Sequence, residues 1–441
     1  MDNLNKTILK IALPATLEMT VHMLGDIIGT IFAGRLGPAT IAALAISGQI
    51  LFSAIFVFEA LGIGTTAIVA RHLGAKEYQY ANKAASHAIG LGIIIGVILG
   101  IMGFYGAENF VAFFSVEEEV ARLAVIYLKT LSVGVPLILS LFIGSALLRG
   151  AGQTRIPFLI AILTNLLNIG LSYILIFGKL GFPKLGIFGF ALGLIISLSA
   201  GCLVTLFILF RGNIIKIDFY DLFKWDFNLI KNIIKLSSPI GLEEIIFSIN
   251  RIISSKLIAA LGTASFAAHQ IALSVESFSF MPGYGFAIAV TTLTGQTLGE
   301  NKPKEAEKKI WATLKLTLYL MSAMGVLFLS APGLLVSLFT EDPEVFSYAA
   351  SCIRIGSLEQ PLIAIYMVIS GTLKGAGDTK SPMLISALSI WLIRVPLLYF
   401  FIYLLKYHIA FAWVITVLDW FIRSIIVLFI YKKGNWKTIK V

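Results

Sequence analysis

The chain has 441 residues, of which 58% are hydrophobic and only 13% charged, with a mean hydropathy of +0.92. A soluble domain carries about 25% charged residues, and no single water-surrounded core hides this much apolar surface, so the composition excludes a soluble protein and points to lipid as solvent. The net charge of +10 would suit a nucleic-acid partner in a soluble chain; here its distribution sets topology instead.

A helix needs about 20 apolar residues to cross the hydrocarbon. About twelve such runs can be placed, near 9–33, 41–70, 85–106, 121–148, 156–178, 187–210, 236–260, 264–296, 310–330, 344–373, 382–405 and 410–431. If the N-terminus is cytoplasmic, roughly 22 Lys and Arg fall on cytoplasmic segments and about five on the opposite side, the positive-inside bias. This predicts a multi-pass protein of the plasma (inner) membrane with both termini in the cytoplasm. Met1 to Lys10 is short and polar, and the first apolar run is long enough to be a retained span rather than a cleaved signal. Cys202 and Cys352 fall inside spans, and no cysteine pattern suggests a disulfide or a metal site.

In chain order, the first span carries Glu18, His22 and Asp26. The spacing i, i+4, i+8 puts all three on one helix face. Such a stripe can relay protons, because histidine titrates near neutral pH, or it can be a hydrogen-bonded packing stripe. Glu59 is a lone acid in the second span. The long segment Arg211 to Lys235 holds Phe219, Tyr220, Leu222, Phe223, Trp225 and Phe227 among acids and lysines. It reads as a helix lying at the cytoplasmic interface, or as a solvated linker.

The seventh span carries Glu243 and Glu244, then Asn250 and Arg251. Adjacent glutamates point about 100° apart, so one of them faces the interior; alternatively Glu243 pairs with Arg251. In the eighth span, Glu276 precedes Met281, Pro282 and Gly283, where a bend is expected; a carboxylate near a bend suits a substrate cation. His269, at the outer end of that span, reads as structural. Glu359, before Gln360 and Pro361, is either functional or paired with Arg354 or Arg394, and Asp419 has Arg423 at i+4 as its default partner.

The chain repeats itself. Leu148-Arg-Gly-Ala-Gly-Gln-Thr-Arg-Ile-Pro157 returns as Leu373-Lys-Gly-Ala-Gly-Asp-Thr-Lys-Ser-Pro382, an offset of 225 residues (373 minus 148). The same offset relates Pro14 to Pro239, Glu18 to Glu243, Leu36-Gly37 to Leu261-Gly262, Leu73-Gly74 to Leu298-Gly299 and Pro136 to Pro361. Duplication explains a constant offset over most of each half. Six spans per half is an even number, so the repeats are parallel, with a substrate site expected between them. The expected division is 1–215, a linker at 216–235, and 236–441. The Gly-Ala-Gly turns at 150–152 and 375–377 lack the spacing of a phosphate loop. No ATP site or other cofactor is expected, so energy must come from a gradient or from a partner.

The paired Gly-Ala-Gly turns, the runs Asn165 to Gly178 and Ala267 to Gly285, Gly34-Arg35-Leu36-Gly37, and Arg394-Val395-Pro396 followed by Leu398-Tyr399 resemble the multidrug and toxic compound extrusion (MATE) family. The resemblance covers nearly the whole chain. It implies an all-α polytopic membrane protein of about twelve helices in two pseudo-symmetric six-helix bundles, V-shaped around a central cavity. It also implies a monomer that is no enzyme, and antiport of small organic cations or amphipathic drugs against Na+ or H+. Acids of the seventh and tenth spans resemble the family's cation site, which supports Glu243, Glu244 and Glu359, and Glu276 lies in a motif similar to the family's. Any Na+ would bind at the same carboxylates. Two positions depart from the family pattern. Gly29 stands where members often have an aspartate before the Gly-Arg pair, and Ser172 stands four residues after Asn168, where many have a second acid.

Three rival classes remain, of which a receptor or scaffold would not need a precise duplication around a central cleft. A lipid or lipid-linked saccharide flippase of the same superfamily would need a more basic cavity than these acids suggest. An intramembrane enzyme would need a metal or nucleophile cluster, and the sequence shows no His-Glu-x-x-His motif.

Overall fold

The computed structural model describes residues 3–212, 214–222 and 224–439, and these form helices without a strand. The helices are α1 (Asn3–Gly34), α2 (Pro38–Gly74), α3 (Tyr78–Ala112), α4 (Glu118–Gly150), α5 (Arg155–Phe177), α6 (Gly186–Arg211), α7 (Phe227–Ala259), α8 (Thr263–Gly299), α9 (Pro303–Ser330), α10 (Pro332–Val336), α11 (Pro343–Gly356), α12 (Gln360–Ala376), α13 (Lys380–Ser389), α14 (Val395–Leu397) and α15 (Ile409–Lys433). Helices satisfy their own backbone hydrogen bonds, which lipid cannot do for them. Among the described residues, nine stretches are long and apolar enough to cross a membrane, and α11 with α12 makes a tenth, bent by 52°. α7 and α8, of 33 and 37 residues, are as long as the others but less apolar, with charges along α7 and Ser, Thr and Gly along α8.

Start and stop signals follow local chemistry. Pro38, Pro303 and Pro343 open their helices, where a missing N–H costs nothing. Asp342 caps α11 by accepting from Glu344 and Val345 N–H at 2.9 and 3.0 Å. The Gly-Ala-Gly turns end α4 and α12 with Gly152 at φ +78° and Gly377 at φ +96°, backbone that favours glycine. Their hydrogen bonds match: Gly152 N–H to Arg149 C=O at 2.9 Å, and Gly377 N–H to Lys374 C=O at 3.0 Å.

Contacts divide the chain into two compact units. One, here the N-unit, is Leu17–Gly241; the other, the C-unit, is Leu242–Val441 together with the segment up to Thr16. The division falls inside α1 and α7 rather than at the linker, because the first turns of each pack away from the rest of the helix. Ile8 and Ala12 of α1 join a buried cluster with Phe286, Ala289 and Leu293 of α8. In the N-unit, Ser237 of α7 abuts Gly64 of α2, where a Cβ would lie 2.3 Å from the Ser237 hydroxyl oxygen.

The duplication is visible in each unit's packing. In the N-unit Thr66 Oγ1 donates to Ala146 C=O at 2.8 Å; in the C-unit Thr291 Oγ1 donates to Gly371 C=O at 2.9 Å. Both residues of the second pair lie 225 positions after the first. α3 meets α4 along Gly96, Gly100 and Gly103, where a Cβ would come within 2.6 Å of Pro136 Cα, Ser132 C=O and the Ser132 hydroxyl. Such small-residue seams replace hydrophobic drive between helices in lipid.

One expectation is corrected, and two further features are new. The described part of Gly212–Asp226 is not the interfacial helix expected over Arg211–Lys235. Ile215 and Ile217 alternate inward and are 2% and 1% exposed, and α3 side chains take the backbone groups. Asn82 Oδ1 accepts from Lys216 N–H, Ser86 Oγ from Asp218 N–H and His87 Nε2 from Asp226 N–H, at 2.9, 3.0 and 2.9 Å. Nor is the segment a free solvated linker; it is a strap docked on α3, and Phe223 lies outside the described residues. α8 runs unbroken through Pro282, and the break falls at Ser357–Glu359 between α11 and α12. Finally, the eleventh span contains two π-helical turns, Ile390–Arg394 and Leu398–Leu404, around Pro396. Proline removes a backbone donor, and the widened turn beside it is a common local answer.

Candidate functional site

In the N-unit, Glu18 is 2% exposed and its Oε1 accepts from Arg149 Nη1 at 2.7 Å. Arg149 Nη2 also lies 3.8 Å from Glu59 Oε1. Two acids from α1 and α2 thus face one guanidinium of α4. His22 is half-buried and Asp26 is exposed, and among the described residues no hydrogen bond joins Glu18, His22 and Asp26. The stripe exists as helix geometry but not as a connected relay, because Arg149 draws Glu18 away from it.

The two departures from the family pattern have packing consequences. A Cβ at Gly29 would stand 3.2 Å from Phe190 Cζ, and Phe190 stacks on Tyr127 with centroids 5.9 Å apart. A side chain there would push on this stack. Ser172 is 1% exposed and donates to Asn168 Oδ1 at 3.0 Å; Gly193 presses against it from α6, its would-be Cβ 2.6 Å from Ser172 Oγ. Asn165 packs on Gly25. Asn168 thus bonds a neutral hydroxyl, and the helix packing around Ser172 is tight.

The C-unit gathers more charge. Glu243 is 3% exposed. It pairs with Lys374 Nζ at 2.8 Å and accepts from Tyr366 OH at 3.1 Å and Ser386 Oγ at 2.9 Å. Arg251, the alternative partner considered for Glu243, instead bonds Glu244 at 3.2 Å. The two adjacent glutamates diverge as helix geometry requires, each to its own cation.

The second C-unit cluster contains Glu276 and Glu359. Glu359, at the α11–α12 break, is fully buried, and Glu276 of α8 is half-buried. Their carboxyl groups neighbour one another, with Arg394 acting on both and Asp419 on Glu359. Among the described residues, neither Glu359 oxygen meets a hydrogen-bond donor of suitable geometry. Behind them, Arg423 Nε and Nη2 grip Asp419 at 3.0 and 2.7 Å, the pair expected from spacing. Arg394 Nη1 stands 3.5 Å from Asp419 Oδ2, and Ser389 donates to Asp419. The π-turn ending at Arg394 places its guanidinium between Asp419 and the two glutamates. Two carboxylates so placed repel strongly when both are charged, so the pair is a natural seat for one small cation or for the positive end of a substrate.

Spacing alone missed Arg149, Lys374, Tyr366 and Ser386. A signal existed: Arg149 follows Glu18 by 131 residues and Lys374 follows Glu243 by the same 131, so the repeat carries the pair as a unit. Among the described residues no group of three or more His, Cys, Asp or Glu is placed to hold a metal ion.

Comparison with known proteins agrees with this architecture. The MatE family model matches residues 14–174 and 239–400, once per repeat. A Thermotoga maritima protein, "Probable multidrug resistance protein NorM", is 30% identical over 434 residues, covering 98% of this chain and 93% of the relative. "Multidrug resistance protein PmpM" of Pseudomonas aeruginosa is 27% identical, covering 89% and 83%. Among solved structures, a MOP superfamily transporter from Pyrococcus furiosus superposes with a TM-score of 0.91 at 23% identity, covering 99% of this chain and 96% of that one. A second, described as "Crystal structure of MATE in complex with MaL6", does so with a TM-score of 0.91, covering 99% and 97%. With the family model matched across both repeats of an all-α, multi-pass membrane protein, the chain belongs to the MATE family of transporters.

Proposed function

We propose that this chain is a secondary antiporter that exports cationic or amphipathic drugs in exchange for Na+ or H+. The observation that carries the reading is the pairing of half-buried Glu276 with fully buried Glu359 beside Arg394. The multidrug-resistance names of its relatives support the substrate class. In this mechanism the small cation and the drug compete for the C-unit carboxylates. Cation binding from outside neutralises the pair and weakens the hold on an organic cation, which leaves. Release of the small cation into the cytoplasm re-exposes the charge to new drug. Moving one charge through about 100 mV supplies roughly 2.3 kcal/mol, enough for a drug gradient of about fifty-fold at about 1.4 kcal/mol per decade. The positive-inside bias supports a plasma-membrane location with cytoplasmic termini, and the repeat supports two halves, 1–215 and 236–441. The acidic character of the cluster weighs against a lipid flippase, whose substrates carry phosphate.

The test is efflux of a fluorescent cationic dye from proteoliposomes under an imposed sodium or proton gradient. Efflux driven by one gradient alone supports antiport and names the ion. Efflux driven by neither, with folded protein, contradicts it, and a lipid-translocation assay would follow.

A further inference from the structure

Glu18 and Glu243 hold equivalent places in the two repeats, and so do the cations that bind them. Arg149 and Lys374 each stand directly before the first glycine of a Gly-Ala-Gly turn. The N-unit pair closes at 2.7 Å and the C-unit pair at 2.8 Å. Glu18 and Glu243 are 2% and 3% exposed. A buried ion pair adds little net stability over an apolar replacement, because desolvation offsets the attraction; fixing a register or a switch is its best-attested use. Two such pairs at matched positions suggest a shared task.

Their position supplies one. Among the described residues, α1 and α7 are the helices that contribute to both units: α1 divides between Thr16 and Leu17, and α7 between Gly241 and Leu242. Before its division each shared helix is held by close packing. In the C-unit, a Cβ on Gly285 of α8 would come 2.5 Å from Thr16 Oγ1. In the N-unit, a Cβ on Gly241 of α7 would come 3.0 Å from Val57 C=O of α2. The glycine or threonine involved is at the same repeat position, 16 and 241. Just past the division, Glu18 ties α1 to α4 and Glu243 ties α7 to α12. Pro14 and Pro239 lie inside the helices just before these points, and each removes a backbone hydrogen bond there. Each shared helix is thus packed into one unit, weakened, and then ion-paired into the other.

We propose that Arg149 and Lys374 are positioning residues of the transport cycle, each anchoring a shared helix to its second unit so that rearrangement passes through α1 and α7. The proposal rests on the transport reading above. It assigns Glu18 and Glu243 to anchoring rather than to cation coupling.

The experiment compares Arg149→Met and Lys374→Met with the neutral pairs Glu18→Gln/Arg149→Met and Glu243→Gln/Lys374→Met, and with Lys374→Arg. Three quantities are measured: dye turnover in proteoliposomes, dye Kd on purified protein, and the distance distribution between spin labels on the two units in nanodiscs. The Met variants are expected to lose about tenfold in turnover while Kd stays within about twofold, the signature of an effect on a step after binding. Their distance distributions broaden, and Lys374→Arg behaves as the parent. Should a single variant not fold, its neutral pair, which leaves no uncompensated charge, carries the test with the same expected slowing and broadening. Unchanged distance distributions in the neutral pairs would overturn the proposal, as would a Kd that weakens in step with turnover. If the parent protein itself moves no dye, the transport reading fails, while the distance measurement still reports on the anchors.

Discussion

The N-unit and the C-unit share their turns, their threonine-to-carbonyl seams and a buried ion pair at matched repeat positions, yet they differ in where charge is buried. The repeat partners of Glu276 and Glu359 in the N-unit are Leu51 and Gly134. The N-unit's own Asp26 is exposed, and its Asn168–Ser172 pair is neutral. The C-unit instead buries Glu359, Asp419 and Arg423 completely. What duplication has kept in both units is what positions helices. What has diverged is the buried charge, and the proposed coupling in the C-unit rests on that difference.

The largest expected effect concerns the base of the C-unit cluster. Asp419 holds Arg423 in a two-point grip and faces Arg394. Asp419→Asn leaves the buried Arg423 guanidinium without its counter-charge, and breaking a buried pair in this way costs about 3–5 kcal/mol. Thermal unfolding in detergent should show a clear fall in Tm. An unchanged Tm would mean that the C-unit is no more dependent on buried charge than the N-unit.

Next comes transport itself. Glu276→Gln and Glu359→Gln are each expected to lower drug-for-cation exchange by roughly 100-fold, about 2.7 kcal/mol at 1.36 kcal/mol per decade. Asp26→Asn is expected to stay within about threefold, since the proposed exchange uses the C-unit carboxylates. Initial rates in proteoliposomes decide this, and the reverse order would move coupling to the N-unit.

The shared scaffold can be probed on both sides at once. Gly152→Ala and Gly377→Ala each force a left-handed backbone on an L-residue, at about 1–2 kcal/mol. Equal losses of stability would sharpen the claim that the two turns do the same work; a loss at one only would break it.

The smallest effect is local to the strap, which belongs to the N-unit and carries the matched linker chemistry of neither repeat. Lys83 donates to Asp226 at 3.0 Å, and with the Leu229 and Asn228 N–H groups it holds the Asp226 carboxyl below its usual range. A lowered carboxyl contributes stability above its unfolded value, about 3.9, and loses it only as pH falls through the lower folded value. Hydrogen exchange of the strap amides, corrected for intrinsic rates, should therefore not change between pH 7 and 5. Asp226→Asn should raise it by a few-fold throughout that range. Faster exchange of the parent at pH 5 would point instead to His87, whose Nε2 accepts the Asp226 N–H.

Much of this was legible in the residues. Helix count, repeat and Gly-Ala-Gly turns follow from apolar run length, a constant offset and the glycine requirement at Gly152 and Gly377. The Asp419–Arg423 pair follows from spacing on one helix. Partnerships across helices were less legible. Spacing left open which of Glu243 and Glu244 faces inward, and it suggested Arg251 for the wrong one, because Lys374 is brought near only by tertiary packing. The strap looked amphipathic, but its conformation was decided by acceptors on α3 that lie more than 130 residues earlier in the chain. Pro282 suggested a bend, and α8 continues through it without a break; the break beside Glu359 precedes a different proline, Pro361. A proline marks a lost hydrogen bond, and the neighbouring helices decide whether a bend results.

The central claim, that cation and drug exclude one another at the C-unit carboxylates, is tested most directly by displacement on purified protein. Bound fluorescent dye is titrated with the coupling cation, Na+ or H+, in the parent protein and in the Asp26→Asn, Glu276→Gln and Glu359→Gln variants. The account predicts that the cation displaces dye from the parent and from Asp26→Asn but not from either glutamine variant. Displacement that survives in both glutamine variants and disappears in Asp26→Asn would contradict it.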